Sequence, residues 1–351
     1  MGIFLHEACY YEKGENKIVK CNLCPWNCVL HPGQYGVCQA RKNVDGVLYA
    51  MTYGKITAMW NDPIEKKPLF HWNPGSFTLS ISSAGCNFKC PWCQNWEISQ
   101  FPIEKIPHED VEPKYVVELA KRYNSPSISY TYNEPLIWYE FLIDTMKLAK
   151  KEGLQNVIVS NGYINEDPLN DLLKYIDAAN IDIKAFKEET YRKIIKGRLN
   201  VVLRNVEIMH KAGVHVETTY LVIPGLNDSI EEVKNMAKWH IETLGPDTPL
   251  HLSRFYPQYK YTQSPPTPIK TLEKLRKIAL NEGLNYVYLG NAPGHEGENT
   301  YCPKCGRLLI KRWGFSIIQW NLTEDMRCKY CGEKIPIKGN FYGKTNLSKL
   351  L

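Results

Sequence analysis

Residues 84–97 read AGCNFKCPWCQNWE, with Cys86, Cys90 and Cys93 separated by three and then two residues. Structural metal sites draw on four protein ligands, and catalytic zinc sites with three ligands rely mostly on histidine. Four thiolates would close a [4Fe–4S] cluster into an electron carrier. Three thiolates from one loop leave one iron exposed for an outside ligand, which must be a chelating small molecule. The chemistry expected here is that of an open iron–sulfur cluster.

Eleven of the twelve cysteines fall into three such groups, and Cys9 stands alone, read as a buried small hydrophobe. Cys21, Cys24, Cys28 and Cys38 lie in CNLCPWNCVLHPGQYGVC, a stretch too short and too rich in turn formers to build a core. A bound metal is the expected source of its order, either zinc, placed slightly ahead, or a second iron–sulfur cluster acting as an electron relay. Cys302, Cys305, Cys328 and Cys331 form two CxxC knuckles, each followed by glycine, around RLLIKRWGFSIIQWNL. This is the pattern of a zinc ribbon whose knuckles ride on a hairpin, and structural zinc is expected.

The elements that must position these groups follow from periodicity. Charged residues make up 23% of the 351 and the net charge is +6, with no dense basic run to suggest nucleic acid. No long apolar span or leader pattern is seen, and closely spaced cysteine pairs suit a reducing compartment, so a cytoplasmic protein without membrane contact is expected. Strand-like stretches at 77–82, 127–132, 155–162, 180–186, 214–225, 249–257 and 285–291 alternate with helical stretches at 114–123, 139–153, 167–177, 199–213, 229–245 and 271–283. Asp167 reads as an N-cap with Pro168 at the first helical position. The alternation predicts an α/β fold, a partial barrel of βα units with small cysteine-rich modules at both ends. The expected division is a metal module over 1–50, a connector over 51–75, the barrel over 76–297, a ribbon over 298–340 and a tail over 341–351. DPIEKKP at 62–68 reads as a solvated linker, with a lid or docking segment as the alternative.

In such barrels chemistry sits at the C-terminal ends of strands. The polar residues there are Thr131 to Glu134, Ser160 and Asn161, Asp182 with Lys184, Thr218 and Thr219, and His251 with Arg254. Any one could be a cap, a turn or a structural pair; together on one rim they predict a site.

CNFKCPWC has the CxxxCxΦC form of radical S-adenosylmethionine (SAM) enzymes, Φ being aromatic, and the following Gln94-Asn95 resembles activases of glycyl-radical enzymes. DPIEKKPLFHWNPG, SYTYNEP, TTYLVIPGLND, HLSRFYP and YLGNAPGHEGENTYCPKCG extend the likeness over nearly the whole chain, to the AmmeMemoRadiSam-system radical SAM enzymes. The resemblance implies a partial (β/α)6 barrel. Cys86, Cys90 and Cys93 would carry a [4Fe–4S] cluster that reductively cleaves SAM to a hydrogen-abstracting 5′-deoxyadenosyl radical. It places Trp92 near adenine, Glu134 on the methionine amino group, Ser160 and Asn161 on the ribose, and Asn95, Asn133, Asp182, Lys184, His251 and Arg254 around SAM or substrate. Where the superfamily has Gly-Gly-Glu-Pro, this chain has Tyr132 and Asn133 before Glu134. Implied partners are a low-potential donor such as ferredoxin or flavodoxin, and Memo-like and AMMECR-like proteins. The substrate is left open between a protein or peptide, a glycyl-radical enzyme and a metabolite. A non-catalytic metal-loaded scaffold accounts for the outer groups but not for the three-cysteine loop.

Overall fold

The structure, a computed structural model, describes residues 5–343, so most of the expected tail lies outside the described residues. Its centre is an eight-stranded sheet whose strands follow chain order. They are β1 (Ala58–Pro63), β2 (Phe77–Ser82), β3 (Ser127–Tyr130), β4 (Gln155–Ser160), β5 (Ala178–Asp182), β6 (His215–Val222), β7 (Leu250–Arg254) and β8 (Val287–Gly290). Strands β2 to β8 are parallel, and β1 pairs antiparallel with β2, Trp60 opposite Ser80. Six helices join the parallel strands: α1 (Pro113–Arg122), α2 (Tyr139–Lys151), α3 (Glu166–Leu173), α4 (Leu199–Lys211), α5 (Ile230–Leu244) and α6 (Ile269–Asn281). The fold is the expected α/β barrel of βα units.

Strand β1 is where the structure departs most from the sequence reading. The segment 51–75 does not merely connect, and 62–68 is not a solvated linker. Asp62, Ile64, Glu65 and Lys67 are buried. Ile64, Leu69 and Trp72 pack with Val157 and Ala178 on the inner face of the sheet. Asn180 Nδ2 donates to the Pro68 carbonyl at 2.8 Å, fastening this segment inside the barrel.

The strands bury both faces differently, which explains their alternation. Leu79, Ile81, Ile128, Tyr130 and Ile158 join the large apolar cluster shared with Val116, Ala120, Leu142 and Met146 of the helices. The intervening residues are polar and satisfy one another: the Thr78 and Ser129 hydroxyls lie 2.8 Å apart, and Thr219 donates to Asn180 at 2.8 Å. At the centre of this inner face is Glu217. Its carboxylate accepts from the Phe70 and His71 amides at 3.0 and 2.7 Å and meets His215 and His251 at 3.0 and 2.7 Å. Burial opposes the charge, but the two histidines hold the Glu217 carboxyl well below the usual carboxylate range.

Two smaller features differ from expectation. Helix α3 begins at Glu166 with Asn165 as N-cap, so Pro168 is its third residue. Asn165 is held from outside, its amide donating to Leu23 O at 3.0 Å and its Nδ2 to Asn22 O at 2.7 Å, and these contacts set where the helix starts. Cys9 is exposed, not buried. Its backbone is the part in use, bonding Glu140 Oε1 and Arg41 Nη1 at 2.8 Å each.

The C-terminal hairpin, Leu308–Trp313 with Ser316–Trp320, forms as expected between the two knuckles. From it Arg312 reaches into the barrel interior. Its guanidinium donates to the Phe70 carbonyl at 3.1 Å and to Thr300 Oγ1 at 2.8 Å, and lies 4.2 Å from the Phe70 ring centroid.

Candidate functional site

Strand β2 ends at Ser82, and the next residues swing into the cysteine loop. Gly85 there has φ +91, a conformation open to glycine. The loop returns through the short helix Trp96–Ser99, whose Ile98 carbonyl accepts from the Gly85 amide at 2.8 Å. Cys86, Cys90 and Cys93 thereby share one cleft of about 520 Å³ at the C-terminal ends of the strands. That volume lies within the range of sites for drug-sized ligands.

Most of the residues expected at the rim line this cleft: Trp92, Asn95, Asn133, Glu134, Ser160, Asn161, Asp182 and Lys184. Glu134 is buried and triply held. Its Oε1 accepts from Leu136 N at 2.9 Å and Ser160 Oγ at 2.7 Å, and its Oε2 accepts from Asn161 N at 2.8 Å. Burial pushes its carboxyl up to about 7, against the pull of those donors. Asn161 Nδ2 donates to Asn87 Oδ1 at 2.9 Å and lies 3.7 Å from Cys86 Sγ. The Phe88 amide is 3.4 Å from the same sulfur. Asn133 Nδ2 donates to Gly85 O at 3.0 Å and Asn95 Nδ2 to Tyr132 O at 2.6 Å, tying the loop to the end of β3. Burial disfavours the Lys184 charge, yet Asp182 at 2.7 Å raises it above the usual lysine range. Trp92 is buried, edge-on to Tyr261 at 5.7 Å.

Tyr132, standing where the superfamily has a glycine, has φ 68. Left-handed backbone is costly for a bulky residue and persists only where the surroundings hold it. Here the phenol donates to Asp62, and Lys67 Nζ lies 4.5 Å from the ring centroid. Lys67 in turn pairs with Asp62 at 2.6 Å.

His251 and Arg254 are placed elsewhere. His251 is spent on Glu217, one layer beneath the cleft, and the Arg254 guanidinium is taken up by Thr267 O and the Tyr256 hydroxyl at 2.8 Å each. Neither lines the cleft. Residues the sequence reading missed take their place: Lys66, Lys67, Asn180, Ser253, Asn291 and Phe315. Asn180, Ser253 and Asn291 sit at or just past parallel strands, where the strand-end rule could have found them. The lysines were hidden by reading 62–68 as a linker, and Phe315 comes from the distant hairpin turn.

The outer cysteine groups differ in geometry. In the ribbon, Cys302 and Cys331 sulfurs are 3.6 Å apart, Cys305 and Cys328 3.7 Å, and all four ligand atoms lie within 4.8 Å of one another. A tetrahedral ion with 2.3 Å bonds to sulfur sets its ligands about 3.8 Å apart, so this quartet fits one metal ion. The N-terminal four cysteines instead line a separate pocket with Trp26, Arg41 and Ile137.

Comparison with known proteins agrees with the fold. Residues 80–239 match the Radical SAM superfamily. The chain is 50% identical over 334 residues to the uncharacterized protein MJ0808 of Methanocaldococcus jannaschii, an alignment spanning 95% of this chain and 99% of that one. It is 29% identical over 173 residues to a pyruvate formate-lyase-activating enzyme of Clostridium pasteurianum, covering 47% of this chain and 69% of the other. A solved radical SAM methyltransferase from Sphaerobacter thermophilus shares the fold, with a TM-score of 0.50 at 13% identity over 67% of this chain and 71% of that one. No helix among the described residues is long and apolar enough to cross a membrane.

Proposed function

We propose, from the premise that this chain belongs to the radical SAM superfamily and to one full-length family with MJ0808, that Cys86, Cys90 and Cys93 hold a [4Fe–4S] cluster and that the adjoining cleft binds SAM. The observation that carries this reading is the shared cleft, in which three thiols from one loop face a carboxylate fixed by three donors. The residues fit the group: the loop offers three thiols and no fourth, and two N–H donors already approach Cys86 Sγ. A cluster held by Cys86, Cys90 and Cys93 would supply the electron for reductive cleavage of SAM, the source of a hydrogen-abstracting radical in this superfamily.

The protein's own part is positioning. Glu134 accepts from the methionine ammonium while Ser160 and Asn161 keep its carboxylate aimed. Trp92 offers a face to adenine. The charged Lys184, backed by Asp182, offers an anion-binding group on the same wall. Asn133 and Asn95 hold the cysteine loop against β3, which fixes the distance between thiols and SAM.

Anaerobic reconstitution, reduction with dithionite and addition of SAM should yield 5′-deoxyadenosine and methionine in equal amounts. A fully loaded, reduced protein that leaves SAM intact overturns the reading. Glu134 gives a second test. Its carboxyl titrates near 7 when the cleft is free, and only the ionised form pairs with an ammonium, so SAM affinity should rise with pH from about 5 to about 7. Glu134→Gln should weaken SAM binding by about 10- to 100-fold at neutral pH and flatten that rise, as measured by equilibrium dialysis. Wild-type affinity with an unchanged pH slope would remove Glu134 from the site.

At the ribbon we assign one structural zinc. Metal analysis should find one zinc per chain that survives loss of the iron, and Cys302→Ala should release it. Iron at that site, in a protein lacking the other cysteine groups, would refute the assignment. The likeness of segments along the whole chain to the AmmeMemoRadiSam-system enzymes supports Memo-like and AMMECR-like proteins as partners. A ferredoxin or flavodoxin is the fitting electron donor, in a cytoplasmic setting.

A further inference from the structure

Cys21, Cys24, Cys28 and Cys38 line one small, mostly apolar pocket with Leu23, Trp26 and Ile137. They are not drawn together as the ribbon quartet is: only the ribbon brings such a group within 4.8 Å among the described residues. A single zinc holds four sulfurs about 3.8 Å apart, whereas a cubane cluster holds them apart around its own body. Arg41 supplies a second, independent sign. It is buried, its Nη1 lies 3.6 Å from Cys21 Sγ, and its Nη2 is fixed by Glu140. Its Nε lines the protein interior with no hydrogen-bond partner among the described residues. The inorganic sulfides of a cluster would add acceptors for that N–H beyond the cysteine thiolates that either kind of metal site supplies.

The pocket also abuts the catalytic loop. The Cys86 amide donates to the Cys38 carbonyl at 3.1 Å, so one hydrogen bond joins a ligand residue of one group to a ligand residue of the other. Gly85 allows this approach, since a Cβ there would lie 2.3 Å from the Cys38 oxygen. Trp26 Nε1 donates to Asn87 O at 2.8 Å and fastens the same junction.

We propose that Cys21, Cys24, Cys28 and Cys38 bind a second [4Fe–4S] cluster, and that it passes electrons to the Cys86 loop across the Cys38–Cys86 hydrogen bond. One electron from a low-potential flavodoxin- or ferredoxin-class donor reduces this cluster from the 2+ to the 1+ state. Delivery of that electron to the catalytic centre returns it to 2+. The binding site stands without the proposed function; the relay rests on it.

The test is iron and sulfide counting with electron paramagnetic resonance on the full chain, reconstituted anaerobically. Wild type should carry about eight irons, and the Cys86→Ala/Cys90→Ala/Cys93→Ala variant about four, with a reduced-cluster signal indifferent to SAM. A triple variant holding zinc and no iron overturns the site. Should that variant fail to fold, Cys21→Ala/Cys24→Ala serves instead. It should retain about four irons and a signal that SAM perturbs, whereas an unchanged total iron count refutes the proposal. In fully reduced wild type the two signals should broaden each other, and this broadening should vanish in Cys21→Ala/Cys24→Ala. Two clusters with simple additive spectra would overturn the relay. Failure of the SAM reading is distinguishable, since it would leave the four irons of the triple variant in place.

Discussion

Cys90→Ala protein, reconstituted and reduced as the wild type, is expected to release 5′-deoxyadenosine only at background. That is a fall of at least about a thousandfold, or ~4 kcal/mol of barrier. Cys90 is the central ligand of the loop and is itself buried, while Cys86 and Cys93 are partly exposed. Cys38, which meets the loop through its backbone carbonyl, lines the separate N-terminal pocket with its own group. The substitution is small and the loop is pinned from both sides by Asn95, Asn133 and Gly85, so the circular dichroism spectrum should be unchanged. Chromatographic assay of 5′-deoxyadenosine decides the matter, and a Cys90→Ala protein that cleaves SAM at the wild-type rate would refute the cluster assignment.

Glu217→Ala is expected to be the most damaging change away from the cysteines, costing about 3–5 kcal/mol of stability. Its carboxylate satisfies two backbone amides and two histidines in the barrel interior, and none of these can reach water once it is gone. The effect should be read from denaturant unfolding of the metal-loaded protein, and a loss under about 1 kcal/mol would show that the cluster is dispensable. The sign of its pH dependence follows from its depressed titration. An unfolded Glu217 takes up its proton near 4.5, before the folded one does, so its stabilisation is complete above that pH and is lost progressively in acid.

The parts of this architecture governed by local pattern were legible in the sequence. The seven parallel strands and six helices each carry their own periodicity, and the cysteine spacing already groups Cys86, Cys90 and Cys93, which the fold gathers in one cleft. What stayed hidden depends on partners remote in the chain. AMWNDP does not alternate cleanly and ends in proline, because β1 is an edge strand that owes its place to pairing with β2. His251 was expected at the rim because its strand ends there. In the pairing it lies beside Thr219, which does line the cleft, but its ring turns to Glu217. No spacing rule reveals that acceptor, since Glu217 is itself defined by amides 146 and 147 residues earlier. Tyr132 shows the reverse case. The sequence reveals a missing glycine, and only the fold reveals the phenol and the lysine that sustain the conformation.

Arg312 also imposes an order in time. The carbonyl it meets belongs to Phe70, 242 residues earlier. At synthesis rates of about 5–20 residues per second, the ribosome delivers Arg312 roughly 12–48 s after Phe70. Strands β2 to β8 are made during that interval, and until it ends the nascent barrel lacks the cation that lies between Phe70 and Tyr288. Translation of the last segment therefore completes the interior of a barrel begun near the other end of the chain.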